Sequence, residues 1–255
     1  MKLSSILFTL LLLSIPSLSG QARDAQRQIS SVDLVELIRA SETQYQAKTS
    51  KATMTMHVVK ENWDRKLKIE SMGEGRDKFL ARIIEPVKER GTVTLKVGDH
   101  MWNYLPKVDR ILKIPSSLMG DSWMGSHFTN DDLVKGDKVD QLYDFTLIKE
   151  TPEIYQIKAT PREDSAVVWG SLEYSIQKSP RVPLEVKYYD EDQELVRRLV
   201  FEDVQEVSGR FIPLKLLVYP VDEPSEKTEI IYEKLEFDSE LPGKVFSVRN
   251  LKKRR

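Results

Sequence analysis

Few residues in this chain are spaced for bond-breaking chemistry. Gly120-Asp121-Ser122 is similar to the nucleophile block of some lipid esterases, with Ser122 as the attacking hydroxyl. A serine nucleophile needs a base within hydrogen-bond reach and a third group to orient that base. No later Asp-x-x-His pair completes such a set. The histidines are His57, His100 and His127, and none sits in H-E-x-x-H or another zinc spacing. Asp131-Asp132 places two carboxylates side by side, as a metal pair would. However, Thr129 followed by Asp132 is a capping-box pattern ahead of the apolar Leu133-Val134. There is no G-x-S-x-G and no phosphate-binding glycine loop. The absence of cysteine excludes disulfides, thiolate-bound zinc and thiol catalysis. The expectation is a protein that is not an enzyme, with no metal and no cofactor, and with an esterase at Ser122 as the remote alternative.

Binding chemistry is better represented. In Ser116–Val134, the run SSLMGDSWMGSHFTNDDLV sets Leu118, Met119, Trp123, Met124 and Phe128 among glycine, serine and aspartate. It is neither a clean strand nor a long helix. Large apolar side chains in such a segment are costly unless they cover apolar surface. A Met- and Trp-rich flap beside a sheet therefore reads as a short helical lid over an apolar cavity.

The rest of the chain supplies the sheet. An apolar stripe at helical spacing, Val32, Leu34, Val35, Leu37 and Ile38, marks one N-terminal helix that Ser30 or Ser31 can cap. From Ala52 onward the period is two. Met54, Met56 and Val58 alternate with polar residues, as do Leu67 and Ile69, then Phe79, Ala81 and Ile83, then Val93 and Leu95, then Trp102 and Tyr104. After the flap the alternation resumes around Phe145, Leu172, Tyr174, Val186, Phe201, Leu216 and Ile230. Turn signals such as Gly73-Glu74-Gly75, Gly98-Asp99 and Ser208-Gly209 separate the runs. Strands at this even spacing, with no βαβ rhythm, predict a mainly β fold. The predicted architecture is an incomplete antiparallel barrel, a curved meander sheet with an N-terminal helix and the short lid. A sandwich gives the same alternation. The cavity wall is expected from Met54, Met56, Val58, Leu67, Ile69, Phe79, Ala81, Ile83, Val93, Leu95, Trp102 and Tyr104. The lid is expected from Leu118, Met119, Trp123, Met124 and Phe128.

Residues 1–22 read as a secretory signal peptide, with Lys2 ahead of an apolar run from Ile6 to Ile15 that is short for a membrane span. Residues 23–255 form one domain on this reading. Lys2 is the one charged residue of that leader, so the remainder holds 38 basic and 40 acidic residues. Such balance gives no reason to expect nucleic-acid binding. The basic end, Lys252 to Arg255, reads as a solvated tail, with transient contact to anionic headgroups as the other reading.

Two blocks carry a family resemblance. Phe79 to Pro86 is a strand ending in proline. It is followed by Val97-Gly98-Asp99-His100-Met101-Trp102-Asn103-Tyr104-Leu105-Pro106 and then Val108 to Ile111. Together with Ser122 to Leu133, these resemble the outer-membrane lipoprotein-sorting proteins of the LolA/LolB type. The resemblance implies an incomplete barrel closed by helices around an apolar cavity. It also implies a periplasmic carrier that shields acyl chains of lipoproteins or related lipids between an inner-membrane donor transporter and an outer-membrane acceptor. The family's carrier ties its lid shut with an arginine that no motif identifies here. A rival of another class is a LolA-like sensor or accessory subunit of an envelope regulator or transporter.

Overall fold

The computed structural model describes residues 34–252. The leader at 1–22, the proposed helix caps and residues 253–255 of the basic end lie outside the described residues. An α-helix, α1, covers 34–42 and buries Leu34, Leu37 and Ile38. Six strands follow: β1 (Thr49–Lys60), β2 (Trp63–Glu74), β3 (Lys78–Glu85), β4 (Val93–Val97), β5 (His100–Leu105) and β6 (Arg110–Lys113). The flap comes next, with three 3-10 turns (Ser116–Leu118, Trp123–Gly125 and Gly136–Lys138), α2 (Asn130–Lys135) and α3 (Val139–Leu142). Seven more strands complete the chain: β7 (Tyr143–Glu150), β8 (Ile154–Pro161), β9 (Ser171–Lys178), β10 (Arg181–Tyr189), β11 (Leu195–Val207), β12 (Arg210–Pro220) and β13 (Lys227–Phe237).

All thirteen strands belong to one antiparallel sheet, ordered β6-β5-β4-β3-β2-β1-β13-β12-β11-β10-β9-β8-β7. The two runs of consecutive hairpins meet where β1 pairs with β13, Met56 opposite Ile230 and Val58 opposite Thr228. The outermost strands β6 and β7 do not pair, so the sheet is the expected incomplete barrel and not the sandwich that the same alternation would also fit. The flap connects these two free edges and crosses the inner face.

Apolar residues from both halves of the sheet, α1 and the flap form the main core inside the curve. A smaller core sits on the outer face of β3–β5, where Leu80, Val93, Leu95 and Tyr104 meet Val245 and Leu251. The chain after β13 supplies the cover, adding Leu241, Phe246 and Val248. Lys252 anchors it with a 2.8 Å bond to Asp109, so this member of the basic end is not a free tail.

This second core corrects the expected facing of four residues. Val93, Leu95, Trp102 and Tyr104 belong to the outer cluster rather than the cavity side. Register explains it: Phe79 and Ala81 lie opposite Lys96 and Thr94, whereas Leu80 lies opposite Leu95. Directly paired residues share a face. Alternation identifies the apolar face of a strand but not which way a curved sheet bends, and here a C-terminal segment makes the outer face apolar too. Leu251 is fully buried there. Leu251→Ala should therefore lower unfolding stability by about 2–4 kcal/mol in denaturant titrations, through lost transfer energy and a cavity.

Candidate functional site

A cavity of ≈ 290 Å³ lies between the inner face, the end of α1 and the flap. Its apolar wall includes Met54 and Phe79 from the first half of the sheet. The second half contributes more, with Leu172, Tyr174, Val186, Tyr188, Leu199, Phe201, Leu216, Ile230 and Tyr232. Trp123, Phe128, Leu133 and Val139 close it from the flap.

The expected wall residues therefore fall into three groups. Met54 and Phe79 line the cavity. Met56, Val58, Leu67, Ile69, Ala81 and Ile83 are packed in the main core next to it. Val93, Leu95, Trp102 and Tyr104 face away. Of the flap residues, Trp123 and Phe128 line the cavity, Met119 and Met124 pack on the main core, and Leu118 stays largely exposed. The wall from β9–β13 was readable as alternating strands, but only the β1–β13 pairing puts it opposite Met54.

Three anchors hold the flap down. At its tip the Trp123 indole donates to Thr94 Oγ1 at 3.0 Å, from the inward side of β4. The turn there needs Met124 and Gly125 at positive φ, 51° and 68°. Nearby, the His127 backbone N–H donates to Thr228 Oγ1 at 3.0 Å, and Nε2 lies 3.0 Å from Glu226. Lys60 and His127 hold the Glu226 carboxyl down at about 2.

Arg197 of β11 forms the second anchor. It donates to the His127 carbonyl at 2.5 Å and to Asp132 Oδ1 at 2.6 Å. Its guanidinium stacks over Tyr188 and Trp169 at 4.1 and 4.4 Å, and the Trp169 indole also donates to Asp132. Burial opposes the charge on Arg197, but Asp132 and Tyr188 outweigh it and raise the pKa. Asp132 is fixed in turn as the N3 member of the capping box that Thr129 opens at α2. Its N–H donates to Thr129 Oγ1, and its carboxylate accepts from the Thr129 N–H. The capping-box reading holds, and the same carboxylate serves the ion pair.

The third anchor is at the far end, where Lys96 bonds Asp137 at 2.9 Å, and Arg76 and Arg39 converge on Asp140. Burial lowers the pKa of Lys96, and Asp137 partly restores it. Arg197, Thr94 and Lys96 carry no motif and were not singled out from sequence, because each matters only through a partner far along the chain.

Ser122 is exposed. His127 is engaged with Thr228 and Glu226, and no hydrogen bond joins the Ser122 hydroxyl to a histidine among the described residues. The described residues also contain no cluster of three or more metal-ligating side chains and no helix long and apolar enough to cross a membrane.

A family model described as that of an uncharacterized protein matches residues 75–253. The chain belongs to this family. No curated protein matches it. Among solved structures, it is similar to a DUF1329 family protein from Desulfovibrio piger, with TM-score 0.78 and 22% identity over 87% of this chain and 99% of that one. A domain from Vibrio parahaemolyticus named for outer membrane lipoprotein sorting superposes with TM-score 0.76 at 21% identity, covering 86% and 98%. A LolA superfamily protein from Nitrosomonas europaea gives 0.69 at 16%, covering 83% and 96%. At such identities the likeness establishes the fold alone, an incomplete antiparallel barrel shared with these proteins, in agreement with the fold that the resemblance implied.

One polar group stands out in the cavity wall. Glu42, at the end of α1, accepts a 2.5 Å hydrogen bond from the Tyr174 hydroxyl. Burial pushes its carboxyl up to about 8, with Asp137, Asp132 and Asp140 adding to the effect and the Tyr174 bond opposing it. A carboxyl whose folded pKa exceeds its unfolded value weakens folding as pH rises from about 4.5 to about 8. Glu42→Gln keeps an oxygen for Tyr174 and removes this titration. The variant should match wild type near pH 4.5 and exceed it by a few kcal/mol at pH 8, read from urea midpoints across that window.

Proposed function

We propose that the protein is an exported, periplasmic lipid carrier that shelters acyl chains of lipoproteins or other lipids between two membranes. The observation that carries this reading is the apolar cavity closed by a flap whose attachments are mainly polar. Such a closure separates two tasks. The wall supplies affinity, because each CH₂ removed from water contributes about 0.8 kcal/mol and a long chain on the order of 12 kcal/mol. Two or three chains, about 24–36 kcal/mol by the same count, would exceed the practical ceiling of ~18–21 kcal/mol, so one chain already supplies most of the affinity a carrier can use. Release into water is then prohibitively slow, but transfer from one apolar setting to another costs little. The flap governs that transfer.

At ≈ 290 Å³ the half-open cavity lies just under the ~300–1,000 Å³ range for ligand pockets, a size that suits one chain with the flap in this position. Larger cargo requires the flap to move outward. Arg197 favours such movement as a discrete event. A buried ion pair that loses its partner costs about 3–5 kcal/mol, so the pair is either made or abandoned with the whole flap displaced. Met54, Met119 and Met124 give the surroundings flexible, polarizable side chains that adapt to chains of different shape. The donor would be an inner-membrane transporter and the acceptor an outer-membrane component.

Native mass spectrometry of protein purified from the exported fraction is the direct test. Co-purified lipid is expected, and absence of lipid together with failure to bind a fatty-acyl probe would overturn the reading. A second test exploits the lack of cysteine. His127→Cys with Thr228→Cys creates one potential bridge between the flap tip and β13. Oxidised protein should neither load nor unload an acyl probe, and a reductant should restore exchange. Arg197→Met should accelerate exchange in the same assay.

A further inference from the structure

Apart from the groups that anchor the flap, the cavity wall carries a carboxyl that holding an acyl chain does not require. Glu42 lines the cavity, with only its Oε1 engaged by Tyr174. Among the described residues no group hydrogen-bonds Oε2. Burial keeps this carboxyl protonated near neutral pH while the cavity is empty. An entering cation favours its ionisation, and the carboxylate then offers about four acceptor positions, of which Tyr174 takes one.

Its surroundings set the sign of the charge that fits. Asp137, Asp132 and Asp140 act on Glu42 through space, and the cations of the cavity wall are each paired with another acid, Arg76 with Asp140, Lys78 with Glu74, Lys96 with Asp137 and Lys135 with Asp131. The cations beside those aspartates are already engaged, Arg197 with Asp132, Lys96 with Asp137, and Arg76 and Arg39 with Asp140. An anionic head would find those cations occupied, whereas Glu42 has no cation partner among the described residues. The same wall holds Gln44 and Gln46, each with a buried Oε1 that no described residue bonds. Unbonded acceptors on Glu42, Gln44 and Gln46, against the one unbonded donor Arg76 Nε in that wall, and an acid with no cation partner among the described residues match a group rich in N–H donors and positively charged. A primary ammonium, a compact charge with three donors, meets both conditions.

We propose that this corner of the cavity is a head-group subsite for a primary ammonium, with Glu42 as its acceptor, so that the preferred cargo is an amine-bearing amphiphile. The proposal rests on the carrier reading and narrows it to a chemical class. It sets a polar acceptor at Glu42 within an otherwise largely apolar wall, which would hold one head group while the chain packs on the apolar residues.

Dodecylamine, dodecanol and dodecanoate share a chain length and differ in the head group. Each would be used, below its micelle concentration, to displace a neutral pyrenyl-alkane probe from the full-length protein. Dodecylamine should displace the probe at concentrations about tenfold below the other two, equivalent to about 1.4 kcal/mol. Glu42→Gln should erase that gap by raising the dodecylamine concentration needed, and Tyr174→Phe, which frees Oε1, should retain it. Equal displacement by the three wild-type ligands would overturn the subsite and leave the carrier standing. So would an unchanged amine preference in Glu42→Gln. Failure of the neutral probe and of dodecanol to bind at all would overturn the carrier reading, and the subsite with it. The wild-type order alone decides the matter if the Gln variant does not fold.

Discussion

The pairing of β1 with β13 is the constraint on which the rest of this structure depends. Without it the chain would be two separate meanders, each with an exposed edge and half an apolar face. The pairing joins residues such as Met56 and Ile230, far apart in sequence, into one ladder. Closing so long a loop costs conformational entropy, and the cost rises only slowly with length. Burial of the shared inner face offsets it, since the main core draws on both halves of the sheet. Once the halves are one surface, the free edges β6 and β7 are its two ends, and the flap between them must cross the opening.

The flap illustrates how polar and apolar terms divide the work. Its apolar residues, Trp123 above all, are buried, which makes the closed position favourable. Its polar contacts specify where it closes. Thr94 receives the indole N–H, Arg197 reads both a backbone carbonyl and Asp132, and Lys96 meets Asp137. Each would be a costly buried group if left alone. Specificity thus comes from groups that cannot be satisfied except in one arrangement. Asp132 is the clearest case, because it completes the capping box of α2 and pairs with Arg197 through different oxygens.

Much of this architecture can be read from the residues. Period-two alternation from Ala52 onward gives the strands, the even spacing gives the meander, and Thr129 with Asp132 gives the start of α2. The flap as a lid follows from the cost of leaving Trp123 and Phe128 on an open loop. Facing was misread at β4 and β5. Val93, Leu95, Trp102 and Tyr104 obey the alternation but serve the outer core beneath the C-terminal segment. Thr94 and Lys96, which look like solvent positions, turn inward and hold the flap.

Local sequence was sufficient for element type because backbone period and side-chain polarity act between near neighbours. It also sufficed to rule out thiol and thiolate-zinc chemistry, which depends on a residue type the chain lacks. Three features were settled only by long-range packing. These are the side of the sheet that became the cavity, the arginine that reached the flap, and the environment of Glu42. Each depends on partners distant in the chain, Asp132 for Arg197 and Tyr174 for Glu42, and a pattern read along one strand carries no information about what a fold brings opposite it.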